Sequence, residues 1–181
     1  MLQRVGLHLE VRPADIDETP LPDEEPAVYV SRLARAKAAA VPRRAGEWVL
    51  AADTTVTVDG RILGKAESPA EATEMLRSLS GRGHEVITAF ALVGDSGASD
   101  GVVTTEVIFI PLDDATLTDY VASGEWRGKA GAYAIQGIGA ALVAGVRGSV
   151  TNVIGLPLVE VLAALRTAGA PVPHFAAGVA S

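Results

Sequence analysis

Asp53 ends the apolar run Trp48-Val49-Leu50-Ala51-Ala52 and is followed by Thr54-Thr55. A carboxylate closing a largely buried run is costly unless it is paired or binds a metal. Two readings stand side by side: a metal ligand or general base at a strand end, and an aspartate capping its own turn. Lys37 falls on the helical stripe Val30, Leu33, Ala34, Lys37, where an apolar residue is expected. It reads either as a snorkelling lysine covering the core edge or as a cation turned into a cleft to hold phosphate. Lys65, after Gly64, and Glu18, in Asp15-Ile16-Asp17-Glu18, are ordinary surface charges when taken singly. Together the four supply two carboxylates and two amines, the set that a metal-assisted phosphate hydrolase needs.

Other chemistries are thinner. Gln136-Gly137-Ile138-Gly139 lacks the third glycine of a dinucleotide-binding turn, and its strand would follow the motif instead of preceding it. It reads as a close backbone approach, in which a glutamine amide can still read a base edge because it both donates and accepts. His8, His84 and His174 have no metal-ligand spacing and read as structural or exposed. The chain has no cysteine, which excludes disulfide scaffolds, thiolate zinc sites and cysteine catalysis. Net charge is −7 and no Lys/Arg block forms a basic face, so polymeric nucleic acid is an unsuitable partner, while small anions remain suitable through a few inward lysines and a divalent cation.

The elements that must position these residues follow from patterning. With 181 residues, 49% hydrophobic and 20% charged, the chain is long and apolar enough for one domain with its own core. Its apolar runs are too short to span a membrane, and the start has no signal-peptide architecture, which predicts a cytoplasmic protein. Alternation at Leu7, Leu9 and Val11 predicts a strand. A Pro-rich acidic loop to Pro26 then leads to a helix over 27–40. The Asp59-Gly60 pair predicts a hairpin joining Val56-Thr57-Val58 to Arg61-Ile62-Leu63. Ser68-Pro69-Ala70-Glu71 opens a second helix with a capping box and closes at Gly81. Glu85–Val93 and Val102–Ile110 are expected to pair antiparallel across a Gly/Ser/Asp loop, followed by a short helix capped at Asp113 or Asp114 and a last helix over Leu156–Ala168. The sum is an α/β fold with an elongated mixed β-sheet flanked by helices.

The quoted pieces occur in an order that resembles the Maf family of nucleoside triphosphate pyrophosphatases from about Met1 to Ala168. They are Asp15–Glu18, Arg32-Leu33-Ala34-Arg35-Ala36-Lys37, Ala52-Asp53-Thr54, Gly64-Lys65, and Leu79-Ser80-Gly81 with His84. Lys129-Ala130-Gly131-Ala132-Tyr133-Ala134-Ile135-Gln136-Gly137 and Asn152-Val153-Ile154-Gly155-Leu156-Pro157-Leu158 complete the match. The resemblance implies two lobes around a cleft, and hydrolysis of a nucleoside triphosphate to monophosphate and pyrophosphate with Mg²⁺ or Mn²⁺. It places the proton acceptor on Asp53, the other charged site residues on Glu18, Lys37 and Lys65, the metal on Asp53 and Glu18, and substrate choice on Thr54, Gln136 and the adjoining Gly137. The Gly-Ala-Tyr-x-Ile-Gln-Gly form is similar to the branch acting on dTTP, UTP and related pyrimidine nucleotides. Val150 departs from the tyrosine often found there. A homodimer is in keeping with the family.

Family members begin with a short strand and a Ser-x-Ser-Pro-Arg-Arg segment, whereas Met1–Leu7 matches the end of the helix that follows it. The domain, taken as 1–169, is therefore expected to lack that serine–arginine clamp and to leave a sheet edge or gap unpaired. Residues 170–181 are expected to be a loose tail. A second reading is a nucleotide-binding regulatory module with weakened turnover, tied to septum formation.

Overall fold

The computed structural model describes residues 1–173. Its sheet has five strands: β1 (Val49–Val58), β2 (Arg61–Leu63), β3 (Gly83–Gly94), β4 (Gly97–Phe109) and β5 (Val143–Arg147), in the order β2-β1-β3-β4-β5. Helices α1 (Pro26–Ala40), α2 (Pro69–Leu79), α3 (Asp114–Ser123), α4 (Val150–Val153) and α5 (Leu158–Thr167) flank it. The α/β architecture is the expected one. Every ladder among the described residues is antiparallel, however, so the sheet is not mixed as expected.

β3 is the central strand and is buried on both faces, alternating with period two. Ile87, Ala89 and Ala91 meet Val30, Ala34 and Ala38 of α1, small residues that let the helix lie close. On the opposite face Phe90 and Leu92 meet Val161, Leu162 and Leu165 of α5. Toward the other end of the sheet, Val56, Val86 and Val107 join Leu76, Leu79, Leu117, Tyr120 and Trp126 in a separate core under α2 and α3. The α1 and α5 layers pack at one end of the sheet and the α2–α3 core at the other, and β1 and β3 run through both ends.

Other expectations change in detail. The loop between the long strands shrinks to Asp95–Ser96, because Ala98–Gly101 continue the ladder against Phe90–Val93. Gly101 permits this: a Cβ there would lie 2.7 Å from the Phe90 ring. Leu7–Val11 forms no strand. It has no ladder partner, and Val11 is 79% exposed. At the end of the described chain Ala170 and Val172 pack on the α5 core; the rest of the expected tail, residues 174–181, lies outside the described residues. β2 covers only Val56–Val58 of β1, so among the described residues the Val49–Thr55 half of β1 is bonded to β3 alone.

Candidate active site

That half-open edge of β1 carries Asp53 and Thr54, which alternation sends to opposite faces. Asp53 turns toward α1. Lys37 Nζ donates to its Oδ1 at 2.5 Å and lies 2.6 Å from Glu18 Oε1. Lys65 Nζ, reached from the return strand of the hairpin, donates to Glu18 Oε2 at 3.0 Å. All four charged residues predicted from sequence therefore meet in one cluster, and it is electrically balanced.

The electrostatics is mutual. Burial pushes the Asp53 carboxyl above the usual carboxylate range, against the opposing hydrogen bond and charge of Lys37. Burial draws Lys37 down, but its hydrogen bonds to Asp53 and Glu18 outweigh this and hold it above the usual lysine value. Hydrogen bonds from Lys37 and then Lys65 hold Glu18 below its usual value.

Glu18 sits in an irregular segment, so something else must place it. Tyr29 of α1 donates its hydroxyl to the Glu18 carbonyl at 2.9 Å. Arg32, one turn further along α1, forks onto Glu24 at 2.7 and 2.6 Å and donates to the Thr19 carbonyl at 3.1 Å. The Glu24 side chain is only 5% exposed, and the Arg32 hydrogen bond holds its carboxyl down at about 2. Sequence reading missed Tyr29 and Glu24. Tyr29 sits at ordinary helical spacing with Leu33, and nothing local marks Glu24 as the partner of Arg32.

Thr54 faces the other way, into a cavity of about 240 Å³. Val56, Ile154 and Tyr133 give it apolar walls, with Lys65 and Lys129 among its polar lining. Apolar walls with a few convergent polar groups are the usual make-up of a small-molecule site. Asp53 and Lys65 both line this cavity and belong to the charged cluster.

Gln136 and Gly137 are not brought to this cavity. Both are exposed, on the turn after Tyr133. Glu125 pins that turn by accepting from the backbone N–H of Ile138 and of Gly139, each at 2.8 Å, and a Cβ at position 137 would run into the Glu125 carboxylate. The absence of a side chain at Gly137 thus has a structural reason.

The donor set suits a hard divalent cation. No group of three or more His, Cys, Asp or Glu residues forms a cage among the described residues. Mg²⁺ ordinarily takes one or two carboxylates and completes its shell from substrate phosphates and water. Asp53 and Glu18 provide two, and Asp53 Oδ2 has no hydrogen-bond partner among the described residues.

Comparison with known proteins gives the family. The family described as Maf-like protein matches residues 1–168. The chain is 54% identical over 177 residues to the dTTP/UTP pyrophosphatase of Anaeromyxobacter dehalogenans (strain 2CP-1), covering 96% of this chain and 90% of that protein. It is 50% identical over 174 residues to the dTTP/UTP pyrophosphatase of Myxococcus xanthus, covering 96% and 88%. Against the protein of that name from Caulobacter vibrioides it is 50% identical over 165 residues, covering 90% and 86%.

Proposed function

The chain belongs to the Maf family, and we propose that it is a nucleoside triphosphate pyrophosphatase acting on dTTP and UTP. The observation that carries this reading is the meeting of a balanced acid–base cluster and an apolar-walled cavity across one strand, with Asp53 and Lys65 common to both. A nucleotide needs both: a place for an uncharged base and a place for charged phosphates.

In this reading Asp53 accepts the proton of the water that attacks the α-phosphorus. The new P–O bond forms as the α–β phosphoanhydride bond breaks, leaving monophosphate and pyrophosphate. Burial raises the Asp53 pKa, which makes it a better proton acceptor than an exposed aspartate, while the hydrogen bond and charge of Lys37 oppose that rise. Lys65, at the cavity wall, offsets charge on the phosphates. The chemistry supplied by Mg²⁺ or Mn²⁺, held by Asp53 and Glu18, is neutralisation of the phosphate oxygens. Thr54 sits where a base would lie, and Gln136 reaches a substrate only from the exposed turn. A cytoplasmic location and a homodimer belong to the same proposal, and sedimentation of the purified chain tests the latter.

The test is pyrophosphate release from dTTP, UTP, CTP, ATP and GTP with Mg²⁺ or Mn²⁺, beside Asp53→Asn. Release from dTTP and UTP that falls about 10²–10⁴-fold in the variant, with its fold intact, is the expected result. A folded protein that binds these nucleotides without releasing pyrophosphate would favour a regulatory module instead.

A further inference from the structure

The cavity floor carries a chain of hydroxyls whose polarity is fixed by its buried end. Thr54 and Thr88 are register partners on β1 and β3, with Oγ1 atoms 2.8 Å apart. Thr88 is fully buried. Its hydroxyl lies 2.9 Å from the carbonyl oxygen of Asn152, and a carbonyl only accepts. The single proton of Thr88 is therefore committed to Asn152. It follows that Thr54 is the donor in the bond between the two threonines. With its one proton used, Thr54 Oγ1 has only lone pairs to present to the cavity, and no donor among the described residues fills them.

The Asn152 carbonyl cannot easily turn away. It also accepts from the Gly155 N–H at 2.8 Å, so both of its lone pairs are occupied. The Asn152 side chain, fully buried, donates from Nδ2 to the Val86 carbonyl and to Thr105 Oγ1, each at 3.0 Å, tying α4 to both β3 and β4. A rigid acceptor at one end thus sets the direction of the whole chain.

We infer that Thr88, anchored by Asn152, is a positioning residue that makes Thr54 an obligate hydrogen-bond acceptor, so that the cavity selects pyrimidines bearing an N3–H donor over those with an unprotonated N3. Uracil and thymine carry that donor; cytosine presents a lone pair, which would face the lone pairs of Thr54. The inference rests on the reading of this cavity as the base site. It adds the atom-level reason for the choice and the residue behind it.

The experiment compares binding of α,β-imido dUTP and α,β-imido dCTP by calorimetry, with kcat and KM for dUTP and dCTP, in wild type, Thr88→Val and Thr88→Ser. Wild type is expected to favour the uracil nucleotide by about 10- to 100-fold. In Thr88→Val the proton of Thr54 is released, Thr54 can donate as well as accept, and the ratio falls to within about threefold. The change is expected in KM and binding more than in kcat. Thr88→Ser, which keeps the hydroxyl, restores the ratio. A Thr88→Val protein with a lower melting temperature but an unchanged uracil-to-cytosine ratio would overturn the inference, as that is the outcome of a merely structural threonine. Should Thr88→Val not fold, Thr54→Val at the half-buried position carries the same expectation of a collapsed ratio. Turnover without base preference in wild type overturns this inference and leaves the pyrophosphatase reading standing. Preference in binding without turnover does the reverse.

Discussion

Asp53 and Thr54 are neighbours in one strand, yet they belong to environments of opposite kind. On the Asp53 side, four charges from four stretches of chain are held in balance, and Glu18 comes from an irregular segment. On the Thr54 side, neutral hydroxyls and one carboxamide are locked between three strands and a short helix, with Thr88, Thr105 and Asn152 fully buried. The charged side can be rearranged by an arriving ion or phosphate, because each partner has alternatives in solvent or substrate. The neutral side has none, since freeing any member strands a buried polar group at about 1–3 kcal/mol. In the proposed function, reaction and recognition are thus divided between a yielding face and a rigid face of the same strand.

Removal of Lys37 is the largest expected perturbation of this division. Lys37→Met leaves two carboxylates facing each other without their shared cation and is expected to lower kcat/KM by about 100-fold. The direction of the accompanying pH effect is more telling. Lys37 lowers the pKa of Asp53, so its loss raises that pKa further, and the acid limb of the activity profile moves to higher pH. The charge on Glu18 raises Asp53, so Glu18→Gln moves the same limb to lower pH. Opposite shifts would show one electrostatic unit; shifts of the same sign would break the picture of a mutually balanced cluster.

A smaller effect is expected one step away, at the clamp that holds the Glu18 segment. Arg32→Lys keeps the charge but loses the fork onto Glu24. A loss of about 3- to 10-fold in kcat/KM is expected, as for one or two charge-assisted hydrogen bonds acting through a partner. The uracil-to-cytosine ratio should not change, because the clamp touches only the charged face. A change in that ratio would mean that the two faces are coupled.

The two faces were unequally legible in the sequence. Asp53, Lys37, Lys65 and Glu18 could be found because a charge at an apolar position, or a charge in a recognisable order, is conspicuous against a chain that is 49% hydrophobic. The α1 and α2 helices, the Asp59-Gly60 turn and the long strand pair are governed by local periodicity and capping, and they appear close to where that patterning puts them. The Thr88–Asn152 connection was invisible, since threonine is an ordinary strand residue and the two lie 64 positions apart. Leu7–Val11 shows the converse: alternation supplies the faces of a strand but not the ladder partner that makes it one. Gln136 was conspicuous for its motif, but its turn is directed by Glu125, whose partners are backbone groups that carry no residue-type signal.

The last and smallest effect on neutral-pH turnover separates the faces by the pH at which each loses stability. His84 is buried beside the rigid face, with Nε2 2.8 Å from the Tyr133 hydroxyl and Nδ1 without a partner. Burial drives its pKa down from 6.5 to about 4. Above 6.5 it is neutral whether the chain is folded or not, and its contribution is fully present. As the pH falls from 6.5 toward 4 the unfolded chain takes up a proton that the folded chain refuses, so stability drops, by about 3 kcal/mol for this one group. Glu18, on the charged face, has a depressed pKa, so its contribution is held above its unfolded value of 4.5 and lost only as the pH falls below that value. Urea midpoints measured between pH 7.5 and 4 should therefore fall in wild type and flatten in His84→Gln, while Glu18→Gln keeps the wild-type slope above pH 5. Equal slopes in wild type and His84→Gln would mean that the buried imidazole already exchanges its proton with solvent, and the rigid face would then be less closed than its hydrogen bonds imply.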